Sequence, residues 1–299
     1  MDSSKNISIE GKSYSFVKTR AYQPVSVYQC ENEFLRIGPK NILSKEIALS
    51  RKLLEFDFPI PQILSEGEKD DQYYFTETSL GDTLFGDIFW KDARENGFVS
   101  DENFQKLLVL IEKFTRAQLK TAEPGDTFES FYFGIHMEHI IEELPYLEEK
   151  LIAGFEKLKK RTSSLPVVMT HGDFNPYNFF EAGVIDFESM FEAPVGYDII
   201  CALYHTFLFP NGTDFESTRR YEFSEDQIDK YFALVDKIYV ENNLPKVSDF
   251  SADFIFSRMI WSAVRMQRMP KVQKWRYEKL EKILDSYLSN GDVVNILIK

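Results

Sequence analysis

Thr170-His171-Gly172-Asp173-Phe174-Asn175-Pro176-Tyr177-Asn178, followed after a short gap by Val184-Ile185-Asp186-Phe187-Glu188, is the stretch on which the reading of this chain turns. Asp173 and Asn178 are five residues apart, and Asp186 lies eight further on. Apolar, β-branched runs flank both groups, so each reads as a loop or strand end in a buried sheet. Phosphoryl transfer asks a protein for two things. One is a carboxylate that orients an attacking hydroxyl. The other is a pair of oxygen ligands that hold Mg²⁺ against nucleotide phosphates. This constellation contains the groups for both.

Around that stretch the 299-residue chain has the composition of a folded protein, 43% hydrophobic and 28% charged, long enough for one large domain or two lobes. No run approaches the ~20 apolar residues of a membrane helix. The densest, 199–209, is too short and contains His205. Met1-Asp2-Ser3-Ser4-Lys5 has no apolar core behind a basic start, so no secretory signal is expected. Cys30 and Cys201 then read as reduced packing residues, and the expected location is cytoplasmic. A net charge of −13 argues against nucleic acid and against anionic membrane surfaces. It suits a small cationic substrate, with plain solubility as the bland alternative.

Residues 1–80 read as a small strand-rich unit. Short β-type runs at 13–18, 25–30 and 33–37 precede a helical pattern over 41–56, stopped by Phe58-Pro59-Ile60-Pro61. A strand pair at 63–67 and 72–78 follows, turning at Asp70-Asp71. Ser79-Leu80-Gly81-Asp82 reads as a linker. Beyond it the chain is mainly helical, over 104–121, 138–161 with Pro145 as a possible break, 195–209, 225–241 and 250–288. Strands at 166–169 and 183–185 bracket the catalytic stretch.

The pattern His-Gly-Asp, four residues, Asn, seven residues, Asp resembles the catalytic segment of the aminoglycoside phosphotransferase and choline kinase-like superfamily, relatives of the protein kinases. The resemblance extends to Phe34-Leu35-Arg36-Ile37, to Lys45-Glu46-Ile47-Ala48-Leu49 and to Phe58-Pro59-Ile60-Pro61-Gln62-Ile63-Leu64 of the N-lobe. Thr76-Glu77-Thr78-Ser79-Leu80-Gly81-Asp82-Thr83-Leu84 looks like the hinge, and Ala193-Pro194-Val195-Gly196-Tyr197-Asp198-Ile199 like the segment after the metal aspartate. The layout is most similar to the hygromycin phosphotransferase branch.

The resemblance implies an α+β, bilobal protein-kinase-like fold. An N-lobe of antiparallel sheet plus helix (1–80) would cover the nucleotide, and a larger helical C-lobe (81–299) would carry the catalytic loop and substrate pocket. It makes Asp173 the catalytic carboxylate and Asn178 and Asp186 the Mg²⁺ ligands, with ATP or GTP as co-substrate. Glu46 would pair with a basic residue on the preceding strand, a lysine in many members and Arg36 here. The two cations hold phosphate in different geometries. The phosphate-covering stretch, Ala21-Tyr22-Gln23-Pro24-Val25-Ser26, has no glycine, although Ser26 offers a hydroxyl. The nucleotide base is expected near Glu77, Thr78 and Ser79. His171 is expected to support the catalytic loop, Asp198 either to cap its helix or to tie down that loop, and Glu188 and Glu192 either to face a substrate ammonium or to point to solvent.

The activity so implied is O-phosphorylation of a small cationic or polyhydroxylated molecule by a monomer or homodimer. An aminoglycoside comes first, which would carry antibiotic resistance. A kinase of choline, homoserine or a sugar-like metabolite, and a pseudokinase-type nucleotide binder, are the alternatives. Other motifs fail. Gly81 and Gly86 have P-loop spacing without its Lys-Ser/Thr, two cysteines cannot build a thiolate zinc site, and no Gly-x-Ser-x-Gly elbow exists.

Overall fold

The computed structural model describes residues 6–20, 23–125, 128–211, 219–265 and 269–299. Ala21 and Tyr22 of the expected phosphate-covering stretch lie outside them. The chain forms two compact units. The first runs to Thr83 and takes in Phe180–Ile185; the second comprises Leu84–Phe179 and Asp186–Lys299.

The first unit is an antiparallel sheet in the order β1-β2-β3-β4-β6-β5, built from β1 (Ile7–Ile9), β2 (Lys12–Thr19), β3 (Ser26–Cys30), β4 (Glu33–Gly38), β5 (Ile63–Lys69) and β6 (Gln72–Thr78). Two-residue loops set its registers. Asp70 and Asp71 both take positive φ (49° and 61°), as do Glu10 and Gly11 (51° and 82°), the turn geometry whose twist matches flanking strands. The Glu10–Gly11 turn folds back the short strand β1, which the sequence pattern did not reveal. Helix α1 (Lys40–Glu55) ends where Asp57 turns left-handed (φ 62°) ahead of Phe58-Pro59.

Strand alternation sorts the sheet's side chains. Leu35 and Ile37 join Ile9, Tyr14, Tyr28 and Tyr74 in one buried cluster. On the opposite face Phe75 and Val25 pack with Leu43 and Ile47 of α1. Arg36 lies across from Phe75 in the β4–β6 register and so shares the α1 face. Glu46, three residues after Leu43 and next to Ile47, is carried on the same helix side.

The second unit is mainly helical: α2 (Phe85–Asn96), α3 (Asp101–Leu119), α4 (Phe128–Gly134), α5 (Met137–Glu143), α6 (Glu148–Thr162), α7 (Tyr197–Tyr204), α8 (Glu225–Glu241), α9 (Ser251–Ala263), α10 (Pro270–Leu288) and α11 (Val293–Ile298). Ser100 caps α3 by accepting from Asn103 N, and Ser224 with Gln227 forms a capping box on α8. The helical pattern over 138–161 divides at Pro145 into α5 and α6, with a 3-10 turn between. That over 250–288 divides into α9 and α10, because Pro270 fits only the first turn of a helix. Strand β7 (Val167–Met169) pairs antiparallel with β10 (Glu192–Pro194), and the small hairpin of β8 (Phe179–Phe180) and β9 (Gly183–Val184) links the segment ending at Asn178 to the one starting at Asp186. The α+β class, with a sheet-plus-helix unit and a larger helical one, is the organisation expected. No helix among the described residues is long and apolar enough to cross a membrane.

Candidate functional site

The loop that follows β7 is held by its backbone. Asp198, in the first turn of α7 and 1% exposed, accepts from His171 N (2.7 Å) and Gln118 Nε2 (2.8 Å) through Oδ2 and from Gly172 N (3.2 Å) through Oδ1. Burial pushes its carboxyl up to about 7 even though those three bonds favour the ionised form. Buried His171 accepts from Asp173 N through Nδ1 (3.3 Å) and lays its ring 4.4 Å from that of Phe187. Gly172 takes φ +77°, and a Cβ there would meet Ser189 O at 2.0 Å, so both conformation and space demand glycine. His171 and Asp198 therefore meet at the loop backbone.

Asp173 points one carboxylate oxygen inward. Oδ1 accepts from Arg258 Nη2 (2.6 Å) and Asn175 Nδ2 (3.0 Å), whereas Oδ2 has no hydrogen bond among the described residues. Burial alone would raise its pKa. The Arg258 guanidinium, with smaller help from the buried histidines, brings it down to about 2, so it is ionised at neutral pH. Arg258 sits on α9, is 2% exposed, and donates through Nη1 to Gly172 O (2.7 Å). One fork thus grips both the Gly172 carbonyl and the Asp173 carboxylate.

Asn178 Nδ2 donates to Asp173 O (2.9 Å), which turns the amide oxygen of Asn178 away from the loop backbone. An anchored amide of this kind presents the acceptor that a hard divalent cation takes. Asp186 heads the 3-10 turn Phe187–Ser189 in the left-handed region (φ 72°, ψ 58°), strained for an aspartate, with its side chain exposed. An asparagine and an aspartate fit Mg²⁺, which keeps several waters and needs one or two protein oxygens. No group of three or more His, Cys, Asp or Glu side chains able to hold a metal occurs among the described residues. Glu188 and Glu192 are exposed, the latter anchored by its N–H to Ser130 Oγ (3.2 Å).

In the first unit Arg36 lies between two carboxylates. Its Nε donates to Glu77 (2.7 Å) and its Nη1 lies 3.5 Å from Glu46. Arg20, just past β2, holds Glu46 with both Nη atoms (2.5 and 3.2 Å). The strand–helix pair expected of Arg36 and Glu46 is thus part of a four-member network, Arg20–Glu46–Arg36–Glu77. Glu77 spends its side chain on Arg36. The N–H groups of Thr78 and Ser79 donate to Gln62 O (3.0 Å) and Asn32 O (2.7 Å). Those donors are committed within the unit, so Leu80 is the next N–H along the segment. Ser26 Oγ lies 3.2 Å from Thr19 Oγ1.

Sequence reasoning missed Arg258, Arg20 and Gln118. A signal existed for the first. Phe254-Ile255-Phe256-Ser257-Arg258-Met259-Ile260-Trp261 is a wholly buried run, and a guanidinium inside one requires a buried partner.

The family model described as "Phosphotransferase enzyme family" matches residues 32–233, more than half of the chain. A direct search of curated protein sequences finds no match. Among solved structures the chain is similar to a choline/ethanolamine kinase family protein from Mesorhizobium loti, with a TM-score of 0.55 and 10% identity, covering 97% of this chain and 94% of that one. It is also similar to an aminoglycoside-3'-phosphotransferase of type VIII (TM-score 0.49, 12% identity, 83% and 93% covered). A third is an aminoglycoside phosphotransferase from Streptomyces rimosus in complex with ADP and streptomycin (TM-score 0.47, 11% identity, 84% and 91% covered). The first of these shows a shared fold of the kinase-like type.

Proposed function

This chain belongs to the phosphotransferase enzyme family, and from that premise we propose that it moves the terminal phosphoryl group of Mg²⁺-bound ATP or GTP onto a hydroxyl of a small molecule. The new bond joins the acceptor oxygen to phosphorus, the bridging bond to the leaving nucleoside diphosphate breaks, and the hydroxyl proton passes by way of Asp173 to solvent. Asp173 is the catalytic residue. The observation that carries this reading is its carboxylate: one oxygen is pinned by Arg258, and the other, Oδ2, is left to receive an O–H.

A carboxylate held near pKa 2 is a weak base. Its work is to aim the hydroxyl and to take the proton late, which suits a loose transition state with little bond formation to the acceptor. Asn178 and Asp186 hold the cation, which when bound neutralises charge on the phosphate oxygens. Arg36, within its glutamate network, is the phosphate contact of the first unit, and Ser26 adds a hydroxyl. Acceptor choice belongs to side chains outside the catalytic loop, of which Arg258 bonds Asp173 directly.

One observation favours a second reading, a nucleotide binder that transfers poorly. Arg36 is engaged by two glutamates, and the Thr78 and Ser79 donors are spent. A screen of hydroxyl compounds with a coupled ADP/GDP readout, followed by ³¹P NMR of the product, separates the two. Acceptor-dependent consumption with a phosphomonoester product supports transfer. Saturable nucleotide binding without acceptor-dependent consumption supports the binder.

A further inference from the structure

Arg258, Trp261 and Arg265 follow one another at i, i+3 and i+7 along α9 and its C-terminal turn, so the two arginines stand one turn either side of the tryptophan. Their guanidinium carbons lie 3.5 and 3.9 Å from the centre of the Trp261 ring. Two groups that close need both faces, and the three side chains form a guanidinium–indole–guanidinium stack. Its inner end is the buried Arg258, bonded to Asp173. Its outer end, Arg265, is exposed. The only side-chain hydrogen bond of Arg265 among the described residues is to a neutral atom, Ser189 Oγ, at 3.3 Å.

A second path places Arg265 at the same spot. The carbonyl of Ser189 packs so closely on Gly172 that no Cβ fits between them, and Gly172 precedes Asp173. Arg265 also helps burial to push His136 down to about 4, so that ring is neutral beside it. Glu188 lies within reach as an opposing charge, but no ion pair joins it to Arg265 among the described residues.

We infer that the acceptor carries an anionic oxyacid group, a carboxylate or a phosphate ester, gripped by Arg265 beside the hydroxyl that Asp173 aims. This deepens, and rests on, the phosphotransferase reading. Inward, the positive charge of Arg258 is spent on Asp173. Outward, the exposed planar fork of Arg265 is held against Trp261 and spends one side-chain hydrogen bond, on Ser189 Oγ, which pre-organises it for a bidentate oxyanion. The stack also removes the usual cation receptor. Trp261 is 6% exposed and both faces are covered by guanidinium, so neither can take a choline ammonium or an aminoglycoside amine. The acidic composition of the whole chain suits a cationic substrate or plain solubility; the arginine stack that ends on Asp173 favours an anionic one.

The test uses the full chain with Mg²⁺-ATP and Mg²⁺-GTP. Its acceptors are matched in skeleton and differ in charge: glucuronate, glucose 6-phosphate, glucose and glucosamine, then glycerate, glycerol phosphate and glycerol, with choline and an aminoglycoside as cations. Binding is read by thermal shift and turnover by nucleotide consumption. An anionic member is expected to bind, and to be phosphorylated at least tenfold more efficiently than its neutral or cationic match. Carboxylate and phosphate arms identify which oxyacid is preferred. Arg265→Gln should raise the acceptor KM tenfold or more with nucleotide KM unchanged, Arg265→Lys should recover part, and Arg265→Glu should move preference toward glucosamine. The inference is overturned if a cationic or neutral acceptor is preferred, if Arg265→Gln weakens nucleotide rather than acceptor, or if no anionic member binds in an Arg265-dependent way. Acceptor-dependent nucleotide consumption with any member of the panel, whatever its charge, tests the underlying phosphotransferase reading separately.

Discussion

Asp173 owes its charge state to a residue 85 positions away. Its pKa of about 2 lies below the ~3.9 of an unfolded aspartate, so its contribution to stability is present above the unfolded value and is lost as pH falls through about 2. Removing Arg258 leaves the burial that raises the pKa and deletes the charge that lowers it. In Arg258→Met the acidic limb of the kcat/KM profile should therefore move to higher pH, and in Arg258→Lys by less. An unmoved limb would show that Arg258 does not set the ionisation of Asp173. The same variant should lose about 3 kcal/mol in denaturant unfolding, the low end for a broken buried pair, since the Asp173 side chain is 27% exposed. As candidates, Asp173, Asn178 and Asp186 could be named from sequence because their spacing is local and their chemistry explicit. Arg258 and Arg20 were not, because each acts through a contact that only the tertiary fold creates. Arg36 was legible as the strand cation, yet its second partner, Glu77, comes from pairing β4 with β6.

At the scale of elements, α3, α7 and the catalytic loop are joined at one carboxylate. Asp198 accepts three N–H bonds, and asparagine in its place puts an NH₂ against at least one of those donors. Asp198→Asn should cost roughly 1–3 kcal/mol of stability, the penalty of an unpaired buried donor, and should lower kcat while leaving nucleotide affinity near that of the wild type. Chemical denaturation and a nucleotide titration check both halves. Periodicity revealed α1, α3 and α8 because each carries a long amphipathic face and a clear stop. It missed β1, three residues long, and α2, whose start follows the Gly81-Asp82 stretch that reads as linker. It ran α9 and α10 together because the pattern is apolar on both sides of the break and only Pro270 marks it.

For the whole molecule, the net charge of −13 and the arginine stack beside Asp173 point to opposite substrates, and the local charge decides, because exposed charges beyond about 8–10 Å are screened in salt whereas a group at the site is not. The assignment of Phe180–Ile185 to the sheet-containing unit was likewise beyond a linear reading; it rests on contacts such as Val184 N to Pro59 O (2.7 Å). The proposed Mg²⁺ serves the reaction and not the fold. Chelation by EDTA should abolish turnover while leaving the far-ultraviolet dichroism and melting temperature of the nucleotide-free protein unchanged; a drop in melting temperature would place the metal in the fold. The central claim concerns Asp173, and single-turnover kinetics of Asp173→Asn with a confirmed acceptor, alongside the Mg²⁺-nucleotide Kd, tests it most directly. The substitution keeps the shape and removes the charge. The account predicts a loss in the phosphoryl-transfer rate of about 100- to 10,000-fold with Kd within a few-fold of the wild type. A transfer rate equal to that of the wild type would contradict it.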